Sequence, residues 1–167
     1  MTTPELLTDA FDRIRGLVTR TLDSADRERL TFRVDPEANT IGWLVWHLTR
    51  IQDDHIADAM GVDQLWPDWA DRFGLPFALD ATGYGQSADD VAAVDVEPSL
   101  LRGYFVEVAD RTAGWVSGLT DADLARVVDE DWDPPVTLAV RLVSVISDDL
   151  QHAGQANFIS GVFDRRA

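Results

Sequence analysis

Four stretches of the chain repeat apolar residues with the rhythm of an amphipathic helix. In the first, Leu7, Phe11, Ile14, Val18 and Leu22 recur at spacings of three and four, which gathers them on one face of a 3.6-residue helix. Pro4 stands where a first turn accepts proline. After a polar connector, Asn39-Thr40 offers an N-cap to a second stripe of Ile41, Leu44, Val45, Leu48, Ile51 and Ile56, and Gly61 is a natural stop. Pro98 and Ser99 precede a third, in which Leu101, Tyr104, Phe105, Val108, Thr112, Trp115, Val116 and Leu119 share a face. A fourth begins near Thr137, because Pro134-Pro135 blocks an earlier start. It carries Leu138, Leu142, Val145, His152, Ala156, Ile159 and Phe163 on one side.

No segment alternates like a strand, and no internal repeat or low-complexity tract is visible. Four long amphipathic helices predict an all-α four-helix bundle, and a chain of 167 residues predicts a single domain over residues 1–167. The connection from Gly61 to Glu97 lacks a helical stripe, yet holds Trp66, Trp69, Phe73, Phe77 and Tyr84. Connections of this length often carry function. These aromatics either cap one end of the bundle or line a substrate pocket, and the two roles are compatible.

Charge changes the picture next. The formal net charge is −16, and all 14 basic residues are arginine. Phosphate contacts need a basic patch, so nucleic-acid binding is not expected; neither is an anionic membrane surface. No stretch is apolar for long enough to span a bilayer, and no signal-peptide pattern opens the chain, so a cytoplasmic protein is expected. There is no cysteine, which removes disulfides, thiolate metal ligands and a cysteine nucleophile. Any thiol chemistry here must use a thiol brought by a small molecule. Arginine-only usage with abundant Ala, Asp and Val points to a GC-rich bacterial genome.

The candidate chemistry lies in the run Ser147-Asp148-Asp149-Leu150-Gln151-His152-Ala153-Gly154-Gln155. On a helix, Asp148 and His152 are four residues apart and stand one turn above the other. A carboxylate and an imidazole so placed can grip one metal ion. They can equally form a core histidine bonded to a carboxylate, the plainer explanation for a short motif. Asp149, three residues from His152, also points toward the apolar face. On the second helix, periodicity puts His55 at the centre of the stripe and His47 at its edge. The residues themselves therefore give a pool of His47, His55, Asp148, Asp149 and His152. Arg50, one turn from His47, and Arg141, two turns before Asp148, are candidate ligand-binding cations, against the plainer role of a surface or salt-bridged arginine. Gln155 and Asn157 are placed to hydrogen-bond a small-molecule ligand or to cap side chains in the bundle.

The segment Asn39-Thr40-Ile41-Gly42-Trp43-Leu44-Val45-Trp46-His47-Leu48 resembles the second helix of the DinB-like (YfiT-like) superfamily of metal-binding four-helix bundles. The segment from Asp148 through His152 to Gly154-Gln155 resembles its last helix. The resemblance implies a bundle with one divalent metal in a cleft, zinc first and nickel second. It implies ligands at His47, Asp148 and His152, and leaves His55 as a core or supporting histidine. Many members have histidine where this chain has Asp148. A carboxylate there looks more like the actinobacterial branch that uses mycothiol, which includes the mycothiol S-transferases and mycothiol-dependent maleylpyruvate isomerase.

The expected function is therefore a metal-dependent thiol S-transferase. Its partners are a small-molecule thiol, mycothiol, and an electrophile, and a homodimer is a permitted assembly. The expected thiol and electrophile contacts are Arg50, Trp66, Trp69, Tyr84, Arg141 and Gln155, with the aromatics as the apolar wall. The competing expectations are a bundle that binds metal or a small molecule without turnover, and a mycothiol-dependent isomerase. The isomerase carries a further C-terminal domain, whereas this sequence stops just after its fourth helix.

Overall fold

The computed structural model describes residues 1–166. Its elements run α1 (Thr3–Asp23), α2 (Arg27–Thr31), α3 (Ile41–Met60), α4 (Trp66–Phe73), α5 (Ala88–Ala93), α6 (Pro98–Val116), α7 (Asp121–Leu124), β1 (Val127–Asp129), β2 (Val136–Thr137) and α8 (Leu138–Asp164). The four long helices are those read from the apolar stripes. Their starts follow local chemistry. Thr2 closes a capping box with Glu5, the Thr40 side chain accepts from the Trp43 amide, and the Thr137 side chain accepts from the Val140 amide. Helix α3 packs on both α6 and α8, and α1 covers the same two helices, so the four enclose one continuous core. Among the described residues, no helix is long and apolar enough to cross a membrane.

Three expectations change. The connection from Gly61 to Glu97 is not structureless: it contains α4 and α5. Eight residues and six residues are too short to show a stripe, but the spacing of Trp66, Trp69 and Phe73 turns all three inward. The polar connector before Thr40 likewise holds α2, which buries Leu30 alone. A small antiparallel hairpin, with Val127 opposite Thr137 and Asp129 opposite Val136, sits where no strand is predicted. Strands of three and two residues are too short to alternate visibly.

Helix α3 is the central element. Every residue from Ile41 to Asp53 is buried, because α6, α8 and the 61–97 segment surround it. Two charges lie within that stretch. Arg50 and Asp53 have fully buried side chains 3.7 Å apart, and a buried charge persists only when paired and hydrogen-bonded. Asp53 accepts from the Leu65 amide at 3.0 Å, the Trp66 amide at 2.8 Å, the Tyr104 hydroxyl at 2.8 Å and the Arg111 guanidinium. It thus supplies acceptors for the start of α4. Arg50 donates to the Ala81 carbonyl at 3.2 Å, to Gln64 Oε1 at 2.9 Å and to the Tyr104 oxygen at 3.3 Å. Burial and the Asp53 carboxylate together push the Tyr104 phenol well above its usual range, so it stays a donor.

Above this network the aromatics stack as a second core. Trp66 packs edge-on against Trp46 and Phe73, and Trp69 lies against Tyr104. Trp69 approaches α6 so closely that a Cβ at Gly103 would meet its ring at 2.5 Å. Only glycine at that position admits the indole. Replacing Asp53 with alanine removes at once the acceptor of two amides, a phenol and the Arg111 guanidinium, and the charge partner of Arg50. Denaturant unfolding followed by tryptophan fluorescence should show a loss of about 3–5 kcal/mol, the range for breaking a buried ion pair. A loss below about 1 kcal/mol would mean that the 61–97 segment is held by its aromatics alone.

Candidate functional site

His47 lies on the first half of α3 and is buried, at 5% exposure. Its ring stacks on Trp43 with centroids 4.7 Å apart and planes 13° from parallel. Its Nδ1 is 2.5 Å from the Thr82 carbonyl oxygen. A carbonyl only accepts, so Nδ1 carries the hydrogen and the neutral ring presents its lone pair at Nε2. The loop can come this close because residue 83 is glycine. Gly83 has φ +111°, and a Cβ there would stand 2.5 Å from His47 Nδ1 and 3.0 Å from the Trp43 ring. Trp43 is fixed in turn by donating Nε1–H to Gln86 at 2.6 Å. The Arg50 bond to Ala81 anchors the residue just before Thr82.

His152 and Asp148 face His47 from α8. The His47 and His152 rings are 4.8 Å apart at centroids and 74° from parallel. His152 Nδ1 donates to Gln155 Oε1 at 2.8 Å, so its Nε2 also carries the free lone pair. That Nε2 is 3.6 Å from Asp148 Oδ1. Potential ligand atoms of His47, Asp148 and His152 all lie within 4.8 Å of one another. The other Asp148 oxygen is buried without a hydrogen-bond partner.

This donor set fits a divalent cation. Both imidazoles have Nδ1 committed to an oxygen acceptor, the arrangement that orients histidine ligands. The Asp148 carboxylate stands within reach of both rings, with one of its oxygens buried and unpartnered, and two imidazoles with one carboxylate suit zinc or nickel. Three protein donors leave coordination positions for a further ligand.

The electrostatics match the geometry. Burial lowers the His47 pKa from the usual histidine value, only partly offset by its bond to Thr82. His152 moves the other way, because the neighbouring Asp148 carboxylate favours its protonated form. Asp149 is fully buried and neither of its oxygens has a partner. Burial, reinforced by the Asp148 charge, pushes its pKa well above the carboxylate range.

The other sequence candidates fall in different places. His55 is not the inward histidine that the helical wheel predicts: its side chain is 31% exposed. The wheel fails because α3 is buried on nearly all sides in its first half, so a stripe does not single out one face there. His55 Nδ1 accepts from Arg141 at 2.9 Å, and burial followed by the Arg141 charge lowers its pKa. Arg141 also donates to Asp129 at 2.7 Å, tying α8 to the hairpin. Arg50 is in the interior beneath the 61–97 segment, and Trp66 and Trp69 are in the core over α6. Tyr84 is 83% exposed, with its ring 6.2 Å from that of His47. Gln155 contacts the triad directly, through His152. Asn157 donates to the Ala153 carbonyl within α8. Sequence reading missed Thr82, Gly83 and Gln86, since a backbone carbonyl leaves no mark in a sequence. The glycines around Tyr84 were the available signal.

Fold and site together define a helical bundle with a two-histidine, one-aspartate donor cluster at the α3–α8 seam. The chain matches the family described as mycothiol-S-transferase over residues 6–164, and so belongs to that DinB-like family. Among solved structures, one described as the crystal structure of the conserved protein of locus from Enterococcus faecalis is 29% identical. Its TM-score is 0.87, and the match covers 96% of each chain. Comparison with the curated proteins finds no match.

The three histidines should titrate on opposite sides of the ordinary imidazole value in metal-free protein. By imidazole NMR, His152 should titrate above the ordinary value near 6.5, and His47 and His55 below it. Asp148→Asn removes the charge that stabilises imidazolium and should bring the His152 value down. A His152 titration below that of His47 in the parent protein would contradict the arrangement.

Proposed function

We propose that the protein is a metal-dependent S-transferase. It joins mycothiol, as the low-molecular-weight thiol, to an electrophilic carbon in the cytoplasm, with His47, Asp148 and His152 holding one divalent ion, zinc before nickel. The observation that carries this reading is the convergence of three donor atoms within 4.8 Å in a chain of the mycothiol S-transferase family. Such an ion, when bound, lowers the pKa of a thiol that reaches it, so that sulfur is available as thiolate at neutral pH.

The chain's own residues then do the following. Thr82 holds the His47 ring through Nδ1, and Gln155 holds the His152 ring, so both Nε2 atoms face the same point. Asp148 contributes one negative charge, which partly balances a dication. A bound cation would supply the partner that the buried Asp148 carboxylate otherwise lacks at one oxygen. With no cysteine in the chain, no protein thiol competes for the open position or for the electrophile. Tyr84, exposed at the mouth beside His47, is in place to meet the incoming thiol. In the reaction a sulfur–carbon bond forms, the leaving group departs with its electron pair, and the thiol proton passes to solvent.

Proton competition sets the pH dependence. The ligands bind as neutral imidazoles, and the raised pKa of His152 keeps its proton at pH values where an ordinary histidine has lost it. Metal affinity should therefore fall as pH drops through the His152 value. Asp148→Ala and His47→Ala should each lower zinc affinity by about 10-fold or more, and His55→Ala and Asp149→Asn by far less. Isothermal titration with zinc decides this; if His55→Ala alone loses metal, the ligand set is wrong.

Activity gives the second test. The zinc-loaded protein with mycothiol and a model alkyl halide should consume thiol faster than thiol alone, and a chelator should abolish the gain. A free thiol with pKa near about 8.5 is mostly protonated at neutral pH, so the advantage should shrink as pH rises through that value. A metallated protein with no gain over the thiol-only control, across several thiols and electrophiles, would favour a non-catalytic binder.

A further inference from the structure

An open groove is lined in part by Gln155, the residue that holds the His152 ring. It has a volume of about 450 Å³ and lies between the connector before α3 and the last turns of α8. Val34 and Leu44 line one side, and Gly154, Phe158 and Ile159 line the other. Asn39 and Gln155 are its polar members, and no lining residue is charged. Gln155 is the same residue that fixes the His152 ring, so the groove opens where the donor cluster ends.

Three observations mark this groove as a ligand site rather than an accident of packing. Its volume falls in the range of small-molecule sites. The surface around it belongs to a chain of net charge −16, and an uncharged apolar cleft is out of character there. Phe158 is 64% exposed and Val34 43% exposed at its rim, a solvent cost that nothing in the core recovers. Gly154 adds an independent sign. It sits in the interior of the 27-residue helix α8, where glycine weakens a helix relative to alanine. Nothing lies within 4 Å of the position its Cβ would take. Packing against the protein therefore does not require glycine, and a side chain there would project into the space that Gly154 lines.

We infer that this groove binds the electrophile, and that the electrophile carries an uncharged apolar or aromatic group. The inference rests on the transferase reading and deepens it. The thiol and the electrophile then approach from different sides. Tyr84 and the Thr82–Gly83 loop flank His47, while Gly154, Gln155 and Phe158 flank His152. Trp66 and Trp69, in the core over α6, do not line the groove. On α8, Gln155 and Ile159 lie on the side of the helix that carries Asp148 and His152, and Gly154 and Phe158 lie farther round it, toward solvent. In the tested reaction the sulfur–carbon bond forms, the carbon–chlorine bond breaks, chloride leaves, and the thiol proton passes to water.

The test uses the full chain, with Gly154→Leu to fill the floor and Phe158→Ser to remove the wall. Open space at Gly154 lets leucine enter without displacing protein atoms. Binding is read first in metal-free protein with the neutral fluorescent probe 1-N-phenylnaphthylamine. Gly154→Leu should weaken it by about 10-fold or more, the scale of a blocked hydrophobic pocket. Turnover is then read with zinc, mycothiol and two chlorides, benzyl chloride and chloroacetamide. Gly154→Leu and Phe158→Ser should raise KM for benzyl chloride by about 10-fold, leaving the mycothiol KM, the chloroacetamide rate and the zinc content as in the parent. Equal probe binding by parent and Gly154→Leu overturns the inference. So does an equal effect on both chlorides, or a shift in the mycothiol KM alone. A change from dimer to monomer in Gly154→Leu by sedimentation would make the groove a subunit interface and overturn it as well. Probe binding that is sensitive to Gly154→Leu, in a protein that turns over neither chloride, overturns the transferase reading instead and leaves the groove an apolar ligand site.

Discussion

A buried ion pair on α3 holds the molecule's irregular half in place. Arg50 and Asp53 are both fully buried, and neither would be tolerated in the interior alone. Asp53 receives the amides that begin α4 and the hydroxyl of Tyr104 from α6. Arg50 reaches Gln64 and the carbonyl of Ala81. Two side chains three residues apart on one helix thus secure the start of the 61–97 segment and its middle, at Ala81. The Thr82 carbonyl that the segment brings to the site directly follows the residue so anchored.

The contribution is orientation. Thr82 follows the residue that Arg50 holds, and its carbonyl sets the tautomer and direction of the His47 ring. The absent side chain of Gly83 lets the carbonyl approach, and Trp43 backs the ring from the other face. On α8 the same task falls to Gln155 for His152. The two imidazoles are therefore held by different kinds of partner, one a loop carbonyl tied to the buried network and one a side chain on the same helix. Their electrostatics differ accordingly: burial dominates at His47, and the Asp148 charge dominates at His152. Both rings are thus held through Nδ1, the arrangement that orients histidine ligands at metal sites.

The long helices were legible because their apolar faces are long enough to show the 3.6-residue period. Leu7 to Leu22 and Leu138 to Phe163 each run over several turns, and each start carries a threonine cap. Short elements were not legible. Helix α4 has eight residues and the hairpin strands have three and two, below the length at which periodicity separates from chance. At the site, Asp148 and His152 were readable as an i, i+4 pair on α8. His47 was not readable from periodicity, since α3 is buried all round from Ile41 to Asp53 and the wheel drew attention to His55 instead. The resemblance to the DinB-like second helix carried His47. Trp66 and Trp69 were expected among the wall residues of a substrate pocket; the spacing that turns them inward serves the core over α6. Arg50, expected among ligand-binding cations, is a buried anchor whose partners are mostly backbone and amide oxygens, which composition does not reveal.

The central claim is that the triad presents a metal ion to a thiol that the protein itself lacks. X-ray absorption at the zinc edge tests it most directly, with the zinc-loaded protein measured before and after mycothiol is added. The chain contains no cysteine, so before addition only nitrogen and oxygen scatterers should surround the metal. After addition one sulfur scatterer should appear at about 2.3 Å, the usual zinc–thiolate distance. A metal environment that stays purely nitrogen and oxygen at saturating mycothiol would contradict the account.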